Sequence, residues 1–289
     1  MHLTYSMYHK LRLLLDSIRF EHTVFALPFA YLGMVLAAEG LPSWHQFIWV
    51  TVAMASARTL AMSSNRIIDS NIDAKNPRTK LRHIPDGTIR KSEMTVMAIG
   101  SLVMFFVAAY MLNELAFLLA PIAVVVVVGY SYTKRFTWAS HLILGFADGI
   151  APAGGWIAVT GTLSWESVLM AFLVTTWIAG FDILYACQDY DFDVENSLHS
   201  IPQRFGIDAA FRWSSSLHIV TSLTLLSLGI LFELGFIYYI GWFVVSVLLV
   251  YEHRLVSPKD LSKLNMAFFN INGYIAVIVF VATLVSIYV

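Results

Sequence analysis

Charged residues are scarce in this chain of 289 residues, and cysteine is almost absent. Only 13% of the residues are charged, whereas 58% are hydrophobic and the mean hydropathy is +0.70. This composition excludes an ordinary water-soluble globular protein. The single cysteine, Cys187, excludes an intramolecular disulfide. The formal net charge of -1 says nothing useful about partners, and we expect no nucleic-acid partner.

Long apolar runs, in contrast, recur along the whole chain. A helix of about 20 apolar residues crosses a bilayer, and we count about nine such runs. They are centred near Phe29, Met54, Val103, Val124, Ala151, Leu173, Leu225, Val244 and Val277. Segments 121–129 and 241–250 are apolar on every side, unlike helices of soluble proteins. The sequence therefore predicts an all-α integral membrane protein, a bundle of about nine transmembrane helices within the lipid bilayer.

The distribution of basic residues predicts how these helices are oriented. If the N-terminus lies inside, no Lys or Arg falls in any outer loop, as expected when the basic loops are cytoplasmic. Segment 1–20 lacks the uninterrupted apolar core of a signal peptide, because Lys10, Arg12, Asp16 and Arg19 interrupt it. We expect an amphipathic helix at the membrane interface there. The predicted location is the bacterial plasma membrane, with the N-terminus in the cytoplasm.

Two clusters of acidic residues end the second and the sixth apolar run. The first ladder consists of Asn65, Asp69 and Asp73. The second ladder consists of Asp182, Tyr185, Asp189 and Asp193. Residues spaced by three or four share one face of a helix, and both runs lead inwards. We therefore expect the two ladders to open at the same cytoplasmic face.

Facing ladders would concentrate about five carboxylates, which is unfavourable unless divalent cations neutralise them. Oxygen ligands with room for water favour Mg²⁺, which binds one or two carboxylates together with substrate phosphate oxygens. The predicted metal ligands are Asn65, Asp69, Asp73, Asp189 and Asp193. The alternative is that these acids only solvate helix ends, which would require neither a regular spacing nor recurrence in two helices.

Basic side chains beside both ladders predict a diphosphate site. Arginine offers two parallel N–H donors to a phosphate, and lysine offers a point charge. The predicted diphosphate ligands are Arg78, Arg82, Lys134 and Arg135. The alternative is that basic residues only mark the cytoplasmic side of the membrane. This alternative is sufficient to explain the basic residues that lie further from the ladders.

The ladders and their surroundings resemble the two signatures of the UbiA prenyltransferase superfamily. The string Asn65-x3-Asp69-x3-Asp73-Ala-Lys-Asn-Pro-Arg78 resembles the first signature, the second ladder resembles the second, and segment 130–136 resembles the loop before the fifth helix. The resemblance covers nearly the whole chain. It implies one domain over residues 1–289, with nine helices around a central cavity and a cytoplasmic cap formed by the loops after helices two and six. It also implies two pseudo-repeat halves, about 18–135 and 136–255, and a final helix at 265–288.

The resemblance also implies the reaction, which is Mg²⁺-dependent transfer of a polyprenyl group from its diphosphate to an aromatic ring carbon. Asp69 and Asp189 would act in catalysis as metal ligands that assist departure of the diphosphate. Asp182, the deepest acid of the second ladder, is the candidate base for the ring proton.

The acceptor is the part of the reaction on which the residues leave alternatives open. Arg58 lies two helical turns deeper than the first ladder, and a buried arginine there requires an anion. That anion is either the carboxylate of the acceptor or Asp148 in the fifth apolar run. Arg19, His22 and Tyr185 are further predicted contacts of the acceptor.

Within the superfamily the chain is similar to 4-hydroxybenzoate polyprenyltransferases of quinone biosynthesis. Segments 154–161 and 199–206 resemble a subgroup linked to 1,4-dihydroxy-6-naphthoate in an alternative route to menaquinone. Both acceptors are aromatic hydroxy acids. The haem O, chlorophyll and terpenoid-cyclising branches remain alternatives.

Two other classes of protein are weaker alternatives. A membrane CDP-alcohol phosphotransferase would show an Asp-Gly-x2-Ala-Arg cluster, which is not in this sequence. A divalent-cation transporter would carry its acids along a path through the membrane, whereas these acids lie at one end of their helices.

Overall fold

The computed structural model describes residues 10, 12–19, 23–264 and 266–289, and in these residues it contains helices and no β-strand. Nine helices within the described ranges have 16 residues or more. We label them α1 (Thr23–Ala38), α2 (Trp44–Ile68), α3 (Lys91–Leu112), α4 (Glu114–Thr133), α5 (Ser140–Thr160), α6 (Trp165–Ala186), α7 (Ile207–Leu231), α8 (Phe236–Leu255) and α9 (Asn272–Tyr288). The short helical segments are Ser70–Asp73, Cys187–Asp189, Tyr190–Glu195, Ile201–Phe205 and Met266–Ile271. Each predicted apolar run falls in one long helix.

Six of the described helices, α3 to α8, are long and apolar enough to cross a membrane. Large apolar side chains on them face outwards, as lipid-facing residues do: Leu118 is 68% exposed and Val125 is 71% exposed. Helices α1 and α9 are apolar but shorter, and α2 includes Arg58 and Arg66. The prediction of an all-α integral membrane protein is confirmed, whereas nine crossings and their cytoplasmic orientation stay predictions.

Local sequence explains where several helices begin and end. The hydroxyl of Ser43 accepts a hydrogen bond from the Gln46 amide at 3.2 Å, and the Gln46 side chain accepts one from the Ser43 amide at 2.9 Å. This reciprocal capping satisfies backbone donors at the start of α2. Asn113 caps α4 by accepting from the Ala116 amide at 2.9 Å. Helix α5 ends at Gly161, whose φ of 64° suits glycine.

The helices close into a ring around an internal space. Each long helix packs on the next one in the chain, and α9 packs on α1. Glycines bring α5 close to two neighbours, because a Cβ on Gly155 would lie 2.0 Å from the Ala30 carbonyl oxygen of α1, and one on Gly145 would lie 2.3 Å from the Thr175 carbonyl oxygen of α6. Helix α5 is therefore held against α1 and α6 by direct backbone contact.

Residues 12–19 pack across the end of the bundle at which α2 and α6 end, which we call the acidic end. Residues 12–17 are helical, in keeping with the expected amphipathic helix. Ile18 is buried with Ile89 and Met94. The Nε atom of Arg66 donates to the Ser17 carbonyl oxygen at 3.0 Å. This segment is thus held by the ends of the long helices. The cap, the single domain and its two halves stay predictions.

Candidate active site

Two adjoining cavities lie between the helices. The larger has a volume of about 1120 Å³ and the smaller about 250 Å³. The residues that line both are Arg78, Thr79, Arg82, Tyr130, Leu144, Asp182 and Tyr185. Of the predicted site residues, Arg19 and Arg58 line only the larger cavity. Those that line only the smaller are Asn65, Asp69, Asp73, Lys134, Asp189 and Asp193.

The first ladder keeps its helical register beyond the end of α2. The Asp69 amide donates to the Asn65 carbonyl, and the Asp73 amide to the Asp69 carbonyl, each at 2.8 Å. Asp69 and Asp73 are 2% and 4% exposed, although both are acids. Asn65 donates its side-chain amide to Asp69 Oδ2 at 2.8 Å, so in this arrangement it orients the carboxylate. The predicted spacing therefore brings the three side chains to one face.

Basic side chains compensate the burial of the first ladder. Asp69 Oδ2 lies 2.7 Å from Lys134 Nζ, and Asp69 Oδ1 lies 3.0 Å from Arg135 Nη2. Arg82 Nη1 donates to both carboxylate oxygens of Asp73, at 2.9 and 2.8 Å. Charged hydrogen bonds of this kind offset the cost of removing carboxylates from water.

Arg135 differs from the other three predicted diphosphate ligands, because it lines neither cavity. Besides Asp69, its guanidinium donates to the Ser131 carbonyl at 2.7 Å and to the Ile68 carbonyl at 2.9 Å. These bonds join the end of α4 to the end of α2. Arg135 thus contacts Asp69 from outside the two cavities, and its role as a diphosphate ligand stays a prediction.

The second ladder is interrupted, and the single α-helical register that we expected for it is wrong. Helix α6 ends at Ala186, a 3₁₀ turn follows at Cys187–Asp189, and a new helix begins at Tyr190. The tighter i+3 hydrogen bonds of a 3₁₀ turn rotate the residues that follow. Asp193 Oδ2 accepts a hydrogen bond from the Ser200 hydroxyl at 2.9 Å.

Arg78 links the two ladders. It follows the first ladder in sequence, yet it forms an ion pair with Asp189 of the second, where its Nε donates to Oδ1 at 2.9 Å. It also donates to the Tyr185 hydroxyl at 3.2 Å and lies over the Tyr185 ring. Burial acts to lower the pKa of Arg78, but the hydrogen bond and charge of Asp189 outweigh it, so the pKa is raised. Asn76 completes the link by donating to Asp189 Oδ1 at 2.9 Å.

The donor set of the smaller cavity fits Mg²⁺. The side chains that line it include five carboxylates (Asp69, Asp73, Asp182, Asp189 and Asp193) and two amides (Asn65 and Asn76), around a space large enough to hold water as well. In the described part of the chain no three His, Cys, Asp or Glu residues are close enough to form a metal cage from protein alone. Mg²⁺ takes one or two carboxylates per ion and completes its shell with water and phosphate oxygens.

The larger cavity contains the predicted acceptor residues. Arg58 Nε is buried, and the described residues offer it no hydrogen-bond partner. Arg58 and Asp148 both line this cavity and their charges interact, although no hydrogen bond or ion pair between them is among the contacts of the described side chains. Arg19 also lines this cavity, whereas His22 lies outside the described residues.

Aromatic side chains form part of the wall of the larger cavity. The ring centroids of Phe29 and Trp177 are 4.6 Å apart, and those of Trp177 and Phe181 are 5.5 Å apart. The sequence did not indicate which aromatic residues would face the site, because aromatic residues are spread through all the apolar runs.

His141 is a site residue that sequence reasoning missed. Its Nδ1 lies 2.7 Å from Asp182 Oδ2, and the ring is buried. No sequence signal marks it, because its place beside Asp182 depends on the close approach of α5 to α6 at Gly145, one helical turn away.

Buried acids paired with basic side chains, beside a large cavity in an apolar helical bundle, define a membrane protein with an internal polar site. The chain matches the UbiA prenyltransferase family over residues 26–274, and it belongs to that family. The prediction that it is a prenyltransferase is confirmed.

Relatives of known name support the same assignment. The chain is 28% identical over 258 residues to the 4-hydroxybenzoate octaprenyltransferase of Vibrio campbellii (strain ATCC BAA-1116), covering 88% of this chain and 89% of that protein. It is 29% identical over 259 residues to the 4-hydroxybenzoate octaprenyltransferase of Photobacterium profundum, with 88% of each covered.

Solved structures agree with the fold. The apo structure of a UbiA homologue from Aeropyrum pernix K1 matches with a TM-score of 0.83 and 28% identity, over 92% of this chain and 98% of that chain. A UbiA homologue from Archaeoglobus fulgidus bound to DMAPP and Mg²⁺ matches with a TM-score of 0.74 and 17% identity, over 96% of this chain and 99% of that chain. The second likeness concerns the fold alone.

Proposed function

We propose that the chain transfers a polyprenyl group from polyprenyl diphosphate to a ring carbon of an aromatic hydroxy acid, such as 4-hydroxybenzoate, in quinone biosynthesis. The observation that carries the proposal is the pairing of buried carboxylates with Lys134, Arg78 and Arg82 around a small polar cavity that adjoins a large one. The polar cavity suits a metal diphosphate, and the large one suits a prenyl chain and an aromatic ring.

The smaller cavity would bind the diphosphate. When bound, Mg²⁺ would supply positive charge against the diphosphate as the C–O bond breaks. The residues that would hold it are Asp69, Asp73, Asp189 and Asp193, with Asn65 orienting the first. The side chains of Lys134, Arg78 and Arg82 would contact phosphate oxygens, since all three line this cavity. Arg135 would keep Asp69 in place.

The larger cavity would bind the acceptor and the prenyl chain. The Arg58 guanidinium would pair with the carboxylate of the acid, and Tyr185 and Arg19 would contact the ring or its substituents. Asp182 would accept the ring proton. The faces of Trp177 and its aromatic neighbours would stabilise the allylic cation until the ring attacks it.

Two further lines support the acceptor and the location. The relatives that match over most of their length are named for 4-hydroxybenzoate, whereas segments 154–161 and 199–206 favour the dihydroxynaphthoate. Both acids have the phenolic hydroxyl and the carboxylate that the proposed acceptor site would bind. The absence of Lys and Arg from the predicted outer loops supports a cytoplasmic mouth in a bacterial plasma membrane.

The test is incubation of the purified protein with labelled polyprenyl diphosphate, Mg²⁺ and a panel of phenolic acids that includes both acceptors. We expect the label to appear in a prenylated phenolic acid, and EDTA to abolish the reaction. The matched control is Asp69→Asn, which keeps the size of the side chain but removes its charge. Release of diphosphate with a cyclised hydrocarbon product, or transfer only to a haem-type or chlorophyll-type acceptor, would contradict the proposal.

A further inference from the structure

His141 of α5 and Asp182 of the second ladder form an enclosed pair that joins the two helices. The Nδ1 atom of His141 lies 2.7 Å from Asp182 Oδ2. The His141 side chain is 7% exposed, whereas the Asp182 side chain is 20% exposed. Asp182 thus keeps more surface that a substrate can reach than His141 does.

The close approach of the α5 and α6 backbones fixes this pair. Gly145 lies one helical turn after His141, and it has no room for a side chain. A Cβ at that position would lie 2.3 Å from the Thr175 carbonyl oxygen and 3.1 Å from the Ala179 amide nitrogen of α6. The two helices run in opposite directions, so a residue one turn earlier on α5 meets a residue about one turn later on α6. His141 therefore meets Asp182 because of the approach that Gly145 permits.

The hydrogen bonds of the imidazole indicate its tautomer. In the described residues no group is a partner for the buried Nε2 atom. An N–H placed at Nδ1 donates to the carboxylate, and it leaves Nε2 with a lone pair, whose burial costs less than that of an unpaired N–H. The Nδ1–H tautomer therefore holds Asp182 Oδ2 and leaves Oδ1 for the substrate.

We propose that His141 is a positioning residue for the prenyl transfer, which orients Asp182 so that its second carboxylate oxygen can carry the ring proton between the two cavities. The proposal rests on the function proposed above. Asp182 lines both cavities, whereas His141 lines only the smaller one.

The proton balance of the transfer fits this arrangement. When the prenyl carbon has bonded to the ring, the ring C–H bond breaks and its electron pair restores the aromatic system. The proton goes to Asp182 Oδ1, while Nδ1–H of His141 stays bonded to Oδ2. Asp182 then passes the proton to an oxygen of the diphosphate released in the smaller cavity. The ring loses one proton and the diphosphate gains it, so no further reactant is required.

The competing interpretation is that the pair only fastens α5 to α6. Two substitutions separate the interpretations. His141→Leu removes the donor and keeps the bulk, whereas His141→Asn retains a side-chain amide donor near the position of Nδ1. His45→Leu, at an exposed position at the start of α2, is the control for a histidine outside the site.

The measurement is kcat with 4-hydroxybenzoate, unlabelled and deuterated at both carbons next to the hydroxyl, together with donor binding by calorimetry. For His141→Leu we expect donor affinity within about threefold of wild type and kcat lower by about a hundredfold, the usual size of a general-base contribution. Its deuterium isotope effect should exceed that of wild type, because ring deprotonation becomes slower. His141→Asn should recover most of kcat and the wild-type isotope effect.

Three results would overturn the inference. The first is wild-type kcat in His141→Leu. The second is an equal loss in the Leu and Asn variants without a larger isotope effect, which would indicate a fastening role. The third is a wild-type enzyme that prenylates neither the hydroxybenzoate nor the dihydroxynaphthoate, which would refute the proposed function itself and this inference with it.

Discussion

Arg58→Ala is the substitution that tests most directly what the larger cavity binds. The guanidinium lies two turns inside the acidic end, its Nε is buried, and no described residue accepts a hydrogen bond from that atom. Loss of one partner from a buried charged pair at a binding site costs roughly 2–5 kcal/mol. Because Arg58 keeps partial exposure, we take the lower part of that range, about 2.7 kcal/mol, which corresponds to about a hundredfold in kcat/KM.

We therefore expect wild-type enzyme to prenylate phenol at least about a hundredfold less efficiently than 4-hydroxybenzoate. In Arg58→Ala the advantage of the acid should fall below about tenfold, because the enzyme no longer distinguishes the carboxylate. The KM of the acceptor should rise and that of the donor should stay unchanged. Arg58→Lys should give an intermediate ratio, since it keeps the charge and loses the planar donors.

The assay is kcat/KM for phenol and the acid with each variant at saturating donor. The reasoning is refuted if wild-type enzyme prenylates phenol as well as the acid. It is also refuted if Arg58→Ala unfolds in detergent and Asp148→Ala fails in the same way, because the two residues would then form a structural pair.

Three further predictions concern the rest of the site and the bundle. Asp69→Asn and Asp189→Asn should each lose most activity while staying folded in detergent. EDTA should abolish turnover by the wild-type enzyme until Mg²⁺ is restored, and full activity in the presence of the chelator would exclude the metal role. Lys134→Ala should raise the KM of the prenyl diphosphate without changing that of the acceptor, as steady-state kinetics would show; an unchanged donor KM would remove it from the diphosphate site. Gly145→Ala should lower the melting temperature, because its Cβ would lie 2.3 Å from a backbone carbonyl oxygen. Gly100→Ala, whose Cβ would have no atom within 4 Å, should instead raise the free energy of unfolding by about 0.5–1 kcal/mol. Equal effects of the two substitutions would mean that helix propensity alone sets their effect on stability.

The sequence alone predicted the helices well because the bilayer leaves a local signal. A run such as the one around Val124 is apolar on every side, and no packing detail is required to read it as a helix in lipid. The first ladder was equally predictable, since Asn65 and Asp69 stay one helical turn apart whatever surrounds them.

The partners of the ladders could not be predicted in the same way. Arg78 follows Asp73 in the chain but pairs with Asp189, because the path of the loop and the 3₁₀ turn after Ala186 depend on contacts between distant segments. His141 carried no signal of its own in the sequence, since a single histidine at the start of an apolar run forms no periodic pattern with other polar residues. What identifies it is the close approach of two helices, and that approach is a property of the folded bundle.

The backbone contact between α1 and α5 has a consequence for how substrates reach the site. The backbones of Ala30 and Gly155 are in direct contact without side chains between them, and the distance between the two helices cannot increase without breaking this close packing. Helices α1 and α5 both border the larger cavity, through Phe29 on one and Ala151 on the other. This side of the bundle is therefore closed by direct backbone contact, and a substrate that enters the larger cavity would have to pass between other helices.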